Sequence, residues 1–189
     1  MDVFEAIKWR RSVRKFSPQP IEKERLLQIL EAARLAPSSS NRQAWHFVVI
    51  DDKKVLEQIP KQVAMGDRLI IPWIKDAPVV IAGCYAKALS HYIGQIFDHE
   101  NFLIDISIAL THMVLAATEL GIGTCYIGWF NQKKLRSLLG IPSAYKIACL
   151  VAMGYPAEKS TLEGIGGISP RARKDLKEIV SYNKFGAKL

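Results

Sequence analysis

Apolar residues recur at helical spacing along much of this chain. Residues 22–35 place leucines and alanines on one stripe before Pro37, which predicts an amphipathic helix that ends there. Residues 102–120 are nearly all apolar, so we expect a long helix at the centre of the fold or of an interface. Shorter helices are predicted over residues 2–11, 53–62 and 132–140.

Four further segments have the composition of strands. Residues 45–50 combine aromatic and β-branched side chains, and residues 79–85 form a continuous apolar run that is typical of a buried strand. Residues 124–127 and 147–153 predict a short extended piece and a last core strand. Because helices and strands do not alternate strictly, the pattern predicts an α+β fold with a sheet between helical layers. The sequence shows no repeat and no linker, so residues 1–189 are predicted to form a single domain.

Composition narrows the class of protein. The chain has 189 residues, of which 49% are hydrophobic and 23% charged, and this balance excludes a wholly disordered chain and a collagen-like fibre. No apolar run approaches the roughly 18 to 20 residues that cross a bilayer, and the N-terminus lacks the pattern of a secretory signal, so no membrane partner is expected. Cys84, Cys125 and Cys149 have no CxxC spacing, which favours free buried thiols in a reducing cytoplasm over disulfides or a structural zinc site.

Basic residues give the chain a net charge of +8 and gather near its two ends. Arg10, Arg11 and Arg14 lie near the start with Ser12 among them, and guanidinium groups with a hydroxyl donor suit a phosphate monoester. If the first helix continues, Arg10 and Arg14 share a face, while Arg11 and Ser12 point elsewhere. The alternative is that these cations only offset the dipole at the C-terminus of the helix.

The second basic cluster lies close to the end of the chain. Arg171 and Arg173 would project to the same side of an extended segment. The two clusters could meet on one phosphate, although a solvated basic tail is the alternative. Nucleic-acid binding is a remote alternative for the whole charge excess, because the basic residues fall into compact clusters without a recognition motif.

A polar loop over residues 37–43 follows the second predicted helix. Its hydroxyls, amides and exposed backbone suit a polar heterocycle or a ribityl chain, with a solvated turn as the alternative. The glycines between residues 121 and 128 follow a helix and precede a strand, the reverse of a dinucleotide-binding fingerprint. No metal-binding spacing and no catalytic acid, base or nucleophile is recognisable, so an enzyme of this make-up needs a cofactor.

Four segments taken together resemble the FMN-dependent nitroreductase family. They read RRSVRKF from residue 10, APSSSNRQAWHF at 36–47, LGIGTCYIGWF at 120–130 and RARKDLKEIV at 171–180. Their order and the chain length agree with the family, and the match spans nearly the whole chain. Three positions depart from the family pattern, and these are Ala44, Trp129 and Asp175.

The resemblance implies a fold, an assembly and a cofactor. The fold is a nitroreductase-like α/β sandwich with a central, mostly antiparallel sheet flanked by helices. The assembly is an intertwined homodimer with FMN at the subunit interface, in which the C-terminal segment reaches across to the partner. The FMN-binding residues implied by position are Arg10, Arg11, Ser12, Arg14, Pro37, Ser38, Ser39, Asn41, Ile127, Gly128, Arg171 and Arg173.

The resemblance also implies an NAD(P)H-dependent oxidoreductase. Hydride would pass from NAD(P)H to flavin N5, and a nitroaromatic, quinone or similar acceptor would then be reduced by a ping-pong mechanism. Trp129 stands where a small residue is common, so it could narrow the substrate pocket or form a stacking surface. Tyr92 and Phe97 are further candidates for the substrate pocket. The alternative function is an FMN-binding store or sensor with little turnover.

Overall fold

The computed structural model describes residues 1–63, 71–86, 101–157 and 173–187, except for the side chain of residue 62. The chain divides into two compact units, Met1–Lys159 and Ser160–Leu189, and each is described by itself. The organisation of residues 1–189 as one domain therefore stays a prediction.

The first unit contains most of the regular structure. Its elements are α1 (Val3–Trp9), α2 (Lys23–Arg34), β1 (Trp45–Ile50), α3 (Lys53–Gln62), β2 (Val79–Ala86), α4 (Asn101–Glu119), β3 (Gly123–Ile127), α5 (Gln132–Leu139) and β4 (Tyr145–Gly154), with 3₁₀ turns at Ser39–Asn41 and Pro72–Asp76. The second unit contributes the short helix α6 (Leu176–Ile179). All the predicted elements are present within a few residues of their expected bounds, except that α1 ends at Trp9 rather than at residue 11.

The four strands form one antiparallel sheet in the order β1-β2-β4-β3. Its register changes between Gly83 and Cys84, which pair with Cys149 and Ile147, so that β4 contains a bulge at Ala148. The expectation of an antiparallel sheet is confirmed.

Hydrophobic side chains fill both sides of this sheet. On one side, Ile59 of α3 and Leu135 of α5 pack in a cluster with Val80 of β2. On the other side, Ile29 of α2 belongs to a second cluster with Ile81 of β2, together with most of the buried residues of α4. Val80 and Ile81 are consecutive, as the alternation of side chains along a strand requires. The sheet therefore lies between two helical layers, which confirms the α+β prediction.

Helix α4 is the most deeply packed helix described. Eight of its 19 residues are buried, including Ile106, Leu110 and Met113. By length and composition alone, α4 is long and apolar enough to cross a membrane, with a mean hydropathy of 1.5 over an 18-residue stretch, so the expectation that no apolar segment approaches this length is corrected. Packing against the sheet explains the same composition, since a core helix of a soluble protein is equally apolar.

Candidate functional site

The arginines near the N-terminus lie on an extended segment that follows α1. The backbone of Arg10 has φ −51° and ψ 133°, so the helix stops before it. The N–H of Val13 donates to the carbonyl of Thr124 at 2.8 Å, and the N–H of Ser17 donates to the carbonyl of Tyr155 at 2.8 Å. Residues 10–17, here called the N-terminal segment, therefore run across the end of the sheet where β3 begins and β4 stops.

Close packing holds the N-terminal segment against β3. A Cβ atom added at Gly123 would lie 2.6 Å from Cγ2 of Val13, a distance that real carbon atoms do not reach. The absence of a side chain at Gly123 lets the segment approach the strand closely. Gly123 thus helps to fix where the arginines lie.

Three polar residues of the N-terminal segment act on the thiol of Cys125 on β3. Burial raises the pKa of this thiol, and the guanidinium of Arg14, the hydroxyl of Ser12 and the guanidinium of Arg10 lower it. The guanidinium of Arg10 also acts on Tyr126, whose pKa rises to about 12 through burial. Tyr126 is 42% exposed as a residue, but its hydroxyl end lies beside Thr111 of α4. Arg10, Ser12 and Arg14 therefore occupy one side of the segment.

Arg10 and Arg14 lie on the same side because the backbone is extended, and not because a helix continues. A continuing helix predicts Arg10 and Arg14 on one face with Ser12 pointing elsewhere, but the helix does not continue. In an extended segment every second side chain faces the same way, so positions 10, 12 and 14 share a side. The predicted pair of arginines is retained, and Ser12 joins it.

Arg11 contacts the C-terminal end of α1. Its Nη1 donates to the carbonyl of Lys8 at 2.8 Å and to the carbonyl of Arg10 at 2.7 Å. Carbonyl groups at a helix C-terminus lack partners within the helix, and a cation there also offsets the helix dipole. Arg11 is therefore a helix-terminal cation, and its role in FMN binding stays a prediction.

Ile127 and Gly128, two of the predicted FMN-binding residues, lie at the opposite end of β3. Four steps along the strand separate Gly123 from Ile127, which corresponds to about 13 Å. Ile127 is buried, while a Cβ atom added at Gly128 would meet no atom within 4 Å. Trp129 follows with 69% of its surface exposed. The main chain at Gly128 therefore faces open space, with an exposed indole beside it.

The polar loop over residues 37–43 has a strained backbone. Ser40, Asn41 and Gln43 have φ values of 52°, 52° and 48°, a region that side-chain-bearing residues rarely adopt. Inside the loop, the N–H of Gln43 donates to Oγ of Ser38 at 3.0 Å, and Nε2 of Gln43 donates to Oδ1 of Asn41 at 2.9 Å. Strain of this kind persists where surrounding contacts enforce it, often at functional sites.

A cavity of about 280 Å³ separates this loop from the start of α4. The lining residues are Pro37, Ser38, Ser39, Asn101, Ile104, Asp105 and Ile108. Three of the four candidate loop residues thus line one cavity, whereas the side chain of Asn41 bonds within the loop. Asp105 was not among the predicted site residues, although a carboxylate within a nearly all-apolar run is a signal that could have revealed it.

Several candidates lie outside the described geometry. Arg171, Tyr92 and Phe97 fall outside the described residues, and Arg173 belongs to the second unit. The convergence of the two basic clusters on one phosphate therefore stays a prediction. Within the described parts of the chain, no three His, Cys, Asp or Glu side chains gather in a way that could hold a metal ion.

The cysteines have the properties of structural thiols. All three are free, and Cys84 and Cys125 are buried while Cys149 is partly buried. Burial raises the pKa of Cys84 to about 11 and that of Cys149 to about 12. Because the thiolate is the reactive form, these side chains are poor nucleophiles near neutral pH.

Comparison with known proteins decides the family. Residues 7–155 match the sequence model described as the Nitroreductase family. The chain belongs to the nitroreductase family. The resemblance inferred from the four sequence segments is thereby confirmed.

Curated relatives and solved structures support the same assignment. A protein of Methanothermobacter thermautotrophicus, named provisionally as an NADH dehydrogenase/NAD(P)H nitroreductase, is 35% identical, and the match covers 84% of this chain and 79% of that protein. The FMN reductase [NAD(P)H] of Bacillus subtilis is 33% identical over 84% of this chain and 68% of its own. The solved structure of an FMN-dependent nitroreductase from Clostridium difficile has a TM-score of 0.75 at 30% identity, and the match covers 96% of this chain and 99% of that one. The nitroreductase fold and the oxidoreductase class expected from the sequence are confirmed.

Proposed function

We propose that this nitroreductase-family protein is an FMN-dependent oxidoreductase that uses NAD(P)H to reduce nitroaromatics, quinones or similar electron-poor acceptors. The observation that carries the proposal is the placement of Arg10, Ser12 and Arg14 on one side of an extended segment at the start of β3. The names of the relatives from Bacillus subtilis and Clostridium difficile support FMN as the cofactor.

The residues present fit such a cofactor. The two guanidinium groups and the hydroxyl are suited to a phosphate, which needs several converging donors. Gly128 lies about one length of β3 from these arginines and presents its main chain to open space, and such a surface is suited to a flat ring system. An elongated ligand with a phosphate at one end and rings at the other matches this separation. Ile127, Gly128 and the loop residues Pro37, Ser38, Ser39 and Asn41 complete the proposed site, with Arg171 and Arg173 as its proposed phosphate ligands.

Bound FMN supplies the redox chemistry, because it accepts hydride from NAD(P)H at N5 and gives its electrons to an acceptor in a ping-pong sequence. The chain's own residues would bind it, with Arg10, Ser12 and Arg14 on the phosphate and the main chain of Gly128 beside the ring system. Trp129 narrows the approach of an acceptor or stacks on it, and Tyr92 and Phe97 are proposed to line the same pocket.

A homodimer completes the proposed site. α1 packs against α4, and both helices expose large apolar side chains in the single chain, including Phe4 at 81% and Ile104 at 57%. Exposed apolar side chains on neighbouring helices indicate a protein–protein contact. In the homodimer, the loop over residues 37–43 of one subunit approaches the FMN of the other. We place the enzyme in the cytoplasm, where free thiols such as those described above persist.

Flavin content and reduction by nicotinamide test this proposal. The purified protein, loaded with FMN, should be yellow, and anaerobic mixing with NADH or NADPH should bleach the flavin absorbance. Adding a nitroaromatic or quinone should then restore it. A protein that cannot be loaded with FMN would remove the proposal, and bound FMN that neither nicotinamide reduces would favour the alternative of a flavin store or sensor.

A further inference from the structure

Helix α4 contains a buried carboxylate that the proposed flavin chemistry does not require. Asp105 is 5% exposed and is the only buried acid among the residues that the structure describes. Its neighbours Phe102, Ile106 and Ala109 are apolar and buried. Burying a charged group in such surroundings costs free energy unless hydrogen bonds compensate it. The position of Asp105 therefore calls for a physical explanation.

One carboxylate oxygen has a partner, and the other has none. Oδ1 accepts a hydrogen bond from the N–H of Ser39 at 3.1 Å, which joins α4 to a loop 66 residues away in the sequence. Oδ2 is buried and has no hydrogen-bond partner within the described ranges. Asp105 also lines the 280 Å³ cavity beside Ser38 and Ser39. An unpartnered acceptor beside a cavity indicates that an occupant of that cavity brings a donor.

The bond to Ser39 ties a strained loop to the core. Ser40, Asn41 and Gln43 all have positive φ values, and each such residue costs on the order of 1 kcal/mol. The bonds from Gln43 to Ser38 and Asn41 lie within the loop and do not attach it to a helix. The Asp105 carboxylate attaches the loop to α4, whose packing against the sheet makes it a rigid support.

We propose that Asp105 is a positioning residue of the flavin site. Its Oδ1 holds the loop over residues 38–43 in the strained conformation through the Ser39 amide, and its Oδ2 accepts a hydrogen bond from a hydroxyl or N–H of the ligand that enters the cavity. The identity of this ligand as FMN rests on the proposed function. The attachment of the loop to α4 does not depend on it.

Limited trypsin digestion of the flavin-free protein tests the attachment of the loop, because Arg42 lies within it. Asp105→Ala should speed cleavage after Arg42 about tenfold, the scale of a lost charge-assisted hydrogen bond. Asp105→Asn keeps an acceptor oxygen for Ser39 and should restore the wild-type cleavage rate. Cleavage after Lys146, within β4, reports unfolding of the whole unit. Thr118→Ala is the matched control, since it removes another side-chain hydrogen bond of α4, to Val114.

Ser39→Pro breaks the same hydrogen bond without altering α4. Ser38 has an extended backbone, with φ −143° and ψ 153°, and Ser39 begins a 3₁₀ turn, so proline is compatible with this position. If Asp105→Ala also speeds cleavage after Lys146, that variant does not fold. Ser39→Pro then decides whether the hydrogen bond between Ser39 and Asp105 holds the loop. The loop attachment is wrong if neither variant speeds cleavage after Arg42.

FMN affinity, measured by quenching of flavin fluorescence, tests the second oxygen. Asp105→Asn replaces the acceptor Oδ2 by a donor NH₂ group, so it should raise the FMN Kd about fivefold or more although its loop is intact. Thr118→Ala should leave the Kd unchanged. Wild-type affinity in Asp105→Asn would overturn the role of Oδ2. If the wild-type protein itself does not bind FMN, the proposed function fails, while the digestion experiment still decides whether Asp105 holds the loop.

Discussion

The arginines near the N-terminus show how one residue's role depends on local backbone geometry. Arg10 and Arg11 are adjacent, yet Arg10 faces Cys125 while Arg11 donates to the carbonyls at the end of α1. The difference arises because the chain leaves the helix at Arg10, where consecutive side chains begin to alternate. Equal charge in the sequence therefore leads to a proposed phosphate ligand at one position and a helix-terminal cation at the next.

Removing Arg10 should weaken FMN binding more than it weakens the fold. We expect Arg10→Ala to cost about 1–3 kcal/mol of FMN affinity, because a charge-assisted hydrogen bond is lost. Titration of the flavin-free variant with FMN measures this. Arg34→Ala is the control, since Arg34 is an exposed arginine that pairs with Glu31 of the same helix. Equal affinity of Arg10→Ala and wild type would remove Arg10 from the site.

The buried thiols predict a loss of stability at alkaline pH. Burial raises the pKa of Cys84 to about 11, so the native state keeps its proton while the unfolded state loses it above about pH 8.5. The unfolded state then binds fewer protons, and the free energy of unfolding falls as pH rises from about 9 to 11. Each such thiol contributes about 1.4 kcal/mol per pH unit in this window.

Urea unfolding at several pH values between 8 and 10.5 measures this effect. Cys84→Ala should make the decline of unfolding free energy with pH shallower by the contribution of one thiol, whatever its effect on stability at pH 7. A slope identical to that of the wild type would show that Cys84 ionises normally in the folded protein.

At the scale of elements, the approach of the N-terminal segment to β3 depends on Gly123. Gly123→Ala should lower the free energy of unfolding by about 1–3 kcal/mol, the usual cost of overpacking, because its new methyl group would overlap Val13. The same shift should weaken FMN binding, since Arg10, Ser12 and Arg14 move with the segment. Urea unfolding and FMN titration measure the two effects.

A double-mutant cycle identifies the cause of this loss. Val13→Ala removes the two methyl carbons that crowd position 123, at 2.6 and 3.0 Å, and leaves Cβ at 2.8 Å. The double variant Val13→Ala with Gly123→Ala should therefore be more stable than the sum of the single changes predicts, by at least about 0.5 kcal/mol. Strict additivity would mean that Gly123 matters for a reason other than contact with Val13.

The sequence predicted the elements well because periodicity and breakers are local signals. The apolar stripe of residues 22–35 and the following Pro37 predicted α2, and the apolar run of residues 79–85 predicted β2. The predicted end of α1 was wrong, because the end of this helix depends on pairing of the N-terminal segment with Thr124, more than 100 residues away. Asp105 was missed for the same reason, since its partner Ser39 is adjacent only in the folded chain.

At the scale of the whole molecule, α1 shows why a second chain is expected. The spacing of Val3, Phe4 and Ile7 predicted a helix, but these apolar side chains are exposed, and Ala6 is the residue of α1 that is buried. A helix that turns its apolar residues outward gains little from its own chain. Ile104 of the neighbouring helix α4 is exposed as well. A second copy that covers both helices would bury these side chains.

Charge introduced on this surface should therefore separate the subunits. We expect wild-type protein to sediment as a dimer, and we expect Phe4→Glu combined with Ile104→Lys to sediment as a monomer, because each substitution places a charge where an apolar contact forms. FMN affinity should fall in the same variant, since we propose that the loop over residues 37–43 approaches the partner's flavin. Lys53→Glu, at the start of α3 on the opposite side of the sheet, alters surface charge away from α1 and α4 and should leave both properties intact. A dimer that survives the paired substitution with full FMN affinity would place the interface elsewhere, and monomeric wild type that binds FMN tightly would show that one chain builds the whole site.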